Sequence, residues 1–166
     1  MRRIQALALL LAFAAGPALA QSADTVTGAA RSIDADIIMV NKQRVILWGV
    51  DAPERDQLCF INDQKWSCWD GAKQALDAIL ARGEMTCELA GAADPFGRRH
   101  GTCTINGEDL GEAFVRTGMA RAYVEQTDAY LAAEDAAKTD QLGVWQPGAK
   151  IDDPWVWRKR NPGGFR

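Results

Sequence analysis

Four cysteines and one histidine are the side chains of this sequence that most readily do chemistry on their own. No two cysteines have the Cys-x-x-Cys spacing of zinc ribbons and thiol oxidoreductases, so both classes lose their main signature. His100 has no second imidazole beside it for a His-rich metal site, and a Ser-His-Asp triad is not convincing. Carboxylates and arginines are therefore the remaining candidates.

The cysteines are expected to be structural, because an even number in a small exported domain favours disulfides. Three pairings of four cysteines are possible. We favour the sequential one, Cys59 with Cys68 and Cys87 with Cys103, in which each closed loop is short. By the chain-entropy estimate each bridge contributes about 3 kcal/mol of stability.

Length and composition predict one globular domain behind a secretory signal. The 166 residues are 48% hydrophobic. A basic start, an apolar run over 4–15 and a small-residue ending predict a signal peptide at 1–20, and the run is too short for a membrane anchor. Two of the 19 basic residues lie in this signal, which leaves 17 against 22 acidic residues, a mature net charge of −5. This acidity argues against broad nucleic-acid binding by long-range attraction.

Apolar periodicity and turn residues predict an α+β fold that is mainly β. We expect strands near 25–30, 36–40, 43–50, 85–89 and 99–105, and helices near 70–82, 110–117 and 128–141. Asp70 is the expected N-cap of the first helix. Five strands with a helix after the third predict a five-stranded OB-fold barrel with about three helices over 21–145. The Trp- and Arg-containing tail, 146–166, is expected to be extended.

Four segments carry more specific motifs: SIDADIIMVNKQRVILWGVDAPE at 32–54, DPFGRR at 94–99, NGEDLGEAFVRTGMARAY at 106–123 and PWVWR at 154–158. Together they resemble the thermonuclease (staphylococcal nuclease-like) family in its secreted, disulfide-bearing bacterial form. The resemblance covers nearly all of the mature chain. It implies an OB-fold barrel with three helices, one calcium site, and hydrolysis of DNA and RNA phosphodiesters.

The resemblance also implies roles for the acidic residues. Asp36 and Asp51 would be carboxylate ligands of calcium, and the backbone carbonyl of Ala52 a third ligand. Glu54 would be the base that acts on the attacking water, with Asp34 as an outer carboxylate. Such residue types suit the reaction, which needs a hard cation on the phosphate, a base for water and positive donors for the transition state. The alternative is that these carboxylates are solvated turn residues.

Two further residues match the family's substrate contacts. Arg98 follows the Gly97 turn and corresponds to an arginine that contacts the phosphate and the leaving group, for which a planar guanidinium is well suited. Tyr123 corresponds to a tyrosine beside the nucleotide pocket, although a core position is an equal alternative.

One catalytic arginine of the family is missing, because Ile46 stands at its position. Losing a donor that acts in the transition state typically costs roughly 10²-fold in rate. Arg44 lies two residues earlier on the same strand face, about 7 Å away, and is a candidate substrate-binding residue that covers part of the gap.

Two hypotheses follow. The first is a periplasmic or secreted, monomeric calcium-dependent nuclease of reduced rate, which acts on DNA or RNA and has no membrane anchor once the signal is removed. The second is a catalytically degenerate thermonuclease-like domain that binds nucleic acid or protein, suggested by Ile46 and the net acidity. An OB module that binds carbohydrate or protein is a third, which no residue specifically supports.

Overall fold

The computed structural model describes residues 24–163, so the predicted signal peptide, 1–20, lies outside the described residues. The strands of the main sheet are β1 (Asp24–Gly28), β2 (Ala30–Ser32), β3 (Ile37–Val40), β4 (Gln43–Leu47), β8 (Met85–Ala90), β9 (Arg98–Ile105) and β10 (Glu108–Asp109). Smaller pairings use β5 (Val50–Asp51), β6 (Cys59–Ile61), β7 (Gln64–Trp66), β11 (Arg121–Ala122) and β12 (Ala149–Lys150). The helices are α1 (Cys68–Leu80), α2 (Leu110–Arg116), α3 (Leu131–Thr139) and α4 (Pro154–Arg160), with a 3₁₀ turn at Gly143–Trp145.

The main sheet has the strand order β1-β8-β9-β4-β3-β2, with β10 beside β9. Strands β1 and β2 are one bent segment interrupted only at Ala29, so the same segment pairs with β8 at one edge and with β3 at the other. Strand β4 pairs with β9 in parallel, and Ile46 lies opposite His100. The predicted order of strands, with a helix after the meander, is confirmed.

Helices α1 and α2 cover the core. The apolar face predicted for α1 is buried along Ala72, Leu76, Ile79 and Leu80. The predicted N-cap was wrong, because α1 begins at Cys68, after Ser67. Asp70 instead lies in the first turn, where its negative charge is favourable next to the helix N-terminus.

Both predicted disulfides are present. Cys87 lies directly opposite Cys103 on the antiparallel pair β8–β9, with their Cα atoms 4.0 Å apart. The bridge from Cys59 to Cys68 joins β6 to the first residue of α1, across 5.9 Å between Cα atoms. The bridge from Cys59 to Cys68 therefore holds the small β6–β7 hairpin onto the main body of the domain.

The largest difference from the sequence prediction lies in the tail. Residues 154–160 form helix α4, not an extended segment. Pro154 occupies the start of that helix, where its fixed φ is already helical and its missing N–H costs no hydrogen bond. Strand β12 leads into α4 and pairs with β6 of the disulfide-linked hairpin. Between residues 24 and 163, no helix is long and apolar enough to cross a membrane.

Candidate active site

Most of the predicted site residues line one pocket of about 270 Å³ beside strands β4 and β9. Its charged lining consists of Asp34, Asp36, Asp51, Glu54, Arg98 and Arg158, and Tyr123 and Ile46 also line it. Residues from four distant parts of the sequence therefore meet in one place. Ala52 is buried beside Asp51 but does not line the pocket.

The first two carboxylates are held by the turn between β2 and β3. The backbone N–H groups of Ile33 and Asp34 both donate to the carbonyl of Ile37, which closes this turn. Asp34 accepts the indole N–H of Trp69 at 2.6 Å, a contact that fixes its side chain. The carbonyl of Asp36 accepts from Leu47, so Asp36 is attached to strand β4.

Asp51 is positioned by a glycine turn after β4. Gly49 has φ +74°, a left-handed conformation that favours glycine, and its N–H donates to Gln126 at 2.7 Å. Strand β5 then pairs with β11, which leaves Asp51 only 2% exposed. Glu54 follows one turn later, where its N–H donates to the side chain of Gln57.

Arg158 of α4 was not among the predicted site residues, although the sequence indicates that the basic cluster at 158–160 is able to neutralise phosphates. Its Nη1 donates to Oδ1 of Asp51 at 2.6 Å and to Oε1 of Glu54 at 2.7 Å, and its Nη2 donates to Oδ2 of Asp51 at 2.6 Å. The motif PWVWR contains this residue, but its spacing carries no signal for a contact 107 positions away. One guanidinium thus bridges the candidate metal ligand and the candidate base.

The electrostatics of the pocket are dominated by buried negative charge. Burial, and next the charge of Asp51, raises the pKa of Asp36 well above its usual range. Burial also raises the pKa values of Asp51 and Glu54, although the hydrogen bonds and charge of Arg158 oppose the rise. Four carboxylates face only two guanidinium groups, so the pocket favours a further cation.

Arg98 lies in the pocket as predicted, and the Asp94 turn orients it. Asp94 accepts the backbone N–H of Arg98 at 2.9 Å and its Nε at 2.7 Å. Arg44, the candidate to replace the missing arginine, does not line the pocket. It is exposed and donates to the carbonyl of Phe96 at 3.0 Å, so it supports the turn that carries Arg98.

Tyr123 forms one wall together with α4. Its hydroxyl donates to Glu125 at 2.6 Å, and its ring lies 5.5 Å from the ring of Trp155. Arg121 reaches Asp153 at 2.6 Å, and its guanidinium lies 4.0 Å from the Trp145 ring centroid. Tyr123 is half-buried and lines the pocket.

The acidic residues of the pocket offer donors that suit calcium, but they are not arranged as a ready metal site. In the described range, 24–163, no three acidic, histidine or cysteine side chains are arranged as a ready metal site. The donor chemistry nevertheless fits a hard cation, because Asp36 and Asp51 offer carboxylate oxygens in a pocket with excess negative charge. Arg158 bonds to both Asp51 and Glu54, so a cation held by Asp51 would lie near this guanidinium.

Comparison with known proteins identifies the family of this chain. The family described as staphylococcal nuclease homologue matches residues 44–147, most of the described domain. The chain belongs to this family. The succinoglycan biosynthesis protein ExoI of Rhizobium meliloti (strain 1021) is 35% identical over 145 residues, which span 84% of this chain and 72% of that protein.

A second relative is more distant. An uncharacterized 38.1 kDa protein of Capnoides sempervirens is 26% identical over 129 residues, which span 76% of this chain and 35% of that protein. The domain of the staphylococcal nuclease homologue family is an OB-fold, so the predicted α+β, mainly β, fold class is confirmed. Residues 24–163 contain four α-helices where about three were expected, and α4 is the additional one.

Proposed function

We propose that this protein is a calcium-dependent nuclease that hydrolyses phosphodiester bonds of DNA or RNA. The observation that carries the proposal is the convergence of four carboxylates and two guanidinium groups in one pocket of a staphylococcal nuclease homologue. A carboxylate cluster alone would suit many cations. The guanidinium groups beside it suit a phosphate, which needs donors as well as a metal.

The roles proposed for the pocket residues are those that the family resemblance implies, and their placement supports them. Asp36 and Asp51 would hold calcium, together with the carbonyl of Ala52 beside them. When bound there, calcium would act as a Lewis acid on the phosphate and balance its charge. Glu54 is the base, because its carboxylate lies in the pocket and burial raises its pKa towards the range in which a base can accept a proton.

Arg98 is the donor to the phosphate. Its Nε is held by Asp94, while its terminal nitrogens make no hydrogen bond to any residue between 24 and 163. Those donors can therefore face an oxygen of the reacting phosphate without first breaking a hydrogen bond. Tyr123 forms the wall beside them and provides a ring face for the nucleotide.

The binding-module hypothesis also has an observation in its favour. Arg158 bonds to both Asp51 and Glu54, the residues assigned to the metal and to water activation. If this guanidinium excluded the metal from Asp51, the domain would be stable but would neither bind calcium nor cleave. ExoI is named for succinoglycan biosynthesis, a name that does not mention cleavage of nucleic acid.

We further propose that the mature protein acts as a monomer in the periplasm or outside the cell. Two disulfides in one small domain are typical of proteins that fold in an oxidising compartment. The removal of 1–20 before activity is part of the same proposal.

Cleavage of labelled single-stranded DNA and RNA by oxidised residues 21–166 tests the proposed function. We expect cleavage with calcium and none with a chelator. Titration calorimetry should show one calcium site, which Asp36→Ala removes. Calcium binding without cleavage, in a protein with intact disulfides, would contradict the nuclease and favour the binding module.

A further inference from the structure

Arg158 uses only part of its hydrogen-bonding capacity on the two carboxylates. Its three bonds to Asp51 and Glu54 involve both N–H groups of Nη1 and one of Nη2. A guanidinium has five N–H donors in one plane. The remaining two, on Nε and Nη2, point from the same edge of that plane and have no partner among residues 24–163.

Arg158 lines the same pocket as Arg98. Arg158 is a quarter exposed, so it is neither sealed in the core nor free in solvent. Two parallel N–H groups match two oxygens of a phosphate, which makes such an edge a specific anion contact. The carboxylate side of the guanidinium is saturated, and the opposite edge is available to an anion.

The placement of α4 makes this edge a fixed feature. Gln57 donates to the carbonyl of Asp152 at 2.6 Å, and Arg121 pairs with Asp153 immediately before the helix. Trp155 packs on Tyr123 in the first turn. The start of α4 is therefore anchored to the domain, and the bonds of Arg158 to Asp51 and Glu54 order its long side chain on folding.

Position 46 explains why a donor from α4 is needed. Ile46 lines the pocket on β4 and has no charge to offer a phosphate. Arg98 is then the one cation that the main sheet contributes to this lining. A dianionic transition state beside four carboxylates requires more positive charge than a single arginine supplies.

We propose that Arg158 is the second arginine of the reaction site, and that its Nε–Nη2 edge binds oxygens of the scissile phosphate beside Arg98. The proposal rests on the proposed nuclease function and deepens it. The bonds to Asp51 and Glu54 orient the guanidinium, and α4 supplies the donor that β4 lacks at Ile46. Arg158 is therefore a catalytic residue as well as a structural contact.

The test compares Arg158→Gln with Arg160→Gln, a matched change on the same helix. Arg160 is 65% exposed and pairs with Asp152 outside the pocket. Two quantities are measured with calcium present: cleavage of single-stranded DNA, and the dissociation constant of a phosphorothioate-linked dinucleotide. We expect Arg158→Gln to lower cleavage by about 100-fold and dinucleotide affinity by about 10-fold, with Arg160→Gln within about twofold of wild type.

Two more variants keep the test valid if Arg158→Gln is unstable. Arg158→Lys retains a cation beside the buried Asp51 and should fold, yet it lacks the two-donor edge and should lose cleavage as well. In the folded double variant Ile46→Arg with Arg158→Gln, a guanidinium returns from β4, and we expect cleavage to recover by at least about 10-fold. Melting temperatures are recorded for all variants.

Several results would overturn the proposal. One is a folded Arg158→Gln protein that binds the dinucleotide as tightly as Arg160→Gln, and another is full activity of Arg158→Lys. Faster cleavage by Arg158→Gln would show that Arg158 competes with the metal instead of serving the reaction. If wild type does not cleave at all, the proposed function fails, and the dinucleotide comparison still decides whether Arg158 binds phosphate.

Discussion

Removing the two disulfides one at a time should separate stability from site geometry. The bridges close loops of 9 and 16 residues. By the chain-entropy relation these loops correspond to about 2.6 and 3.1 kcal/mol, respectively. At about 4 °C per kcal/mol for a domain of this size, both double alanine variants should melt roughly 10–12 °C below wild type.

Their effects on the site should differ, because the bridges hold different parts of the fold. Cys87 and Cys103 join strands that are already paired along six registered positions, so the ladder keeps its geometry without the bridge. The bridge from Cys59 to Cys68 holds the β6–β7 hairpin, against which β12 pairs just before α4. Loosening that hairpin should release Arg158 from the pocket.

The assay is dinucleotide affinity at 15 °C, well below either melting transition. We expect Cys59→Ala with Cys68→Ala to lower affinity by about 5-fold or more, and Cys87→Ala with Cys103→Ala to leave it within about twofold. Equal losses in the two variants would refute the link between the hairpin and Arg158. If both double variants lose less than about 1 kcal/mol of unfolding free energy, the loop-entropy estimate is refuted instead.

Three further changes test the electrostatics and the turn of the site. Asp36→Asn should raise the melting temperature of the calcium-free protein by a few degrees. The reason is that the pKa of Asp36 is raised in the folded protein, so ionisation of Asp36 destabilises the fold as pH rises through that pKa. The same variant should abolish the stabilisation by calcium seen in thermal melts. Glu134→Gln should lower the free energy of unfolding by about 1–3 kcal/mol at pH 7, measured by urea unfolding. Burial alone would raise the pKa of Glu134, but Lys138 and Arg121 lower it. The difference in stability from wild type should therefore shrink as pH falls below the ordinary glutamate range. Gly49→Ala should cost about 1–3 kcal/mol, because φ is +74° there, and should weaken calcium binding by displacing Asp51, as calorimetry can show.

Much of the fold could be predicted because its signals are local. The buried face of α1 follows from apolar residues at helical spacing, and strands β3 and β4 follow from their β-branched residues. The β6–β7 hairpin was missed, although Asn62 and Asp63 both adopt positive φ, as a two-residue turn between strands requires. That Asn-Asp pair was an available signal.

The part of the site that the sequence did not predict depends on contacts between residues far apart in the chain. Helix α4 has only seven residues, too few for a periodic pattern, and its Trp and Arg residues suit a solvated tail equally well. The contact of Arg158 with Asp51 depends on β12, the hairpin and Gln57 together. The carboxylates could be found from their motif, but the cation that faces them could not.

Single-turnover cleavage by a matched pair of glutamate variants tests the central claim most directly. Glu54→Gln removes the base in the pocket, whereas Glu112→Gln makes the same change on the exposed face of α2. If the pocket is a nuclease site, Glu54→Gln should slow calcium-dependent cleavage by about 100-fold or more, and Glu112→Gln should match wild type. Equal rates for the two folded variants would contradict a catalytic role for this pocket.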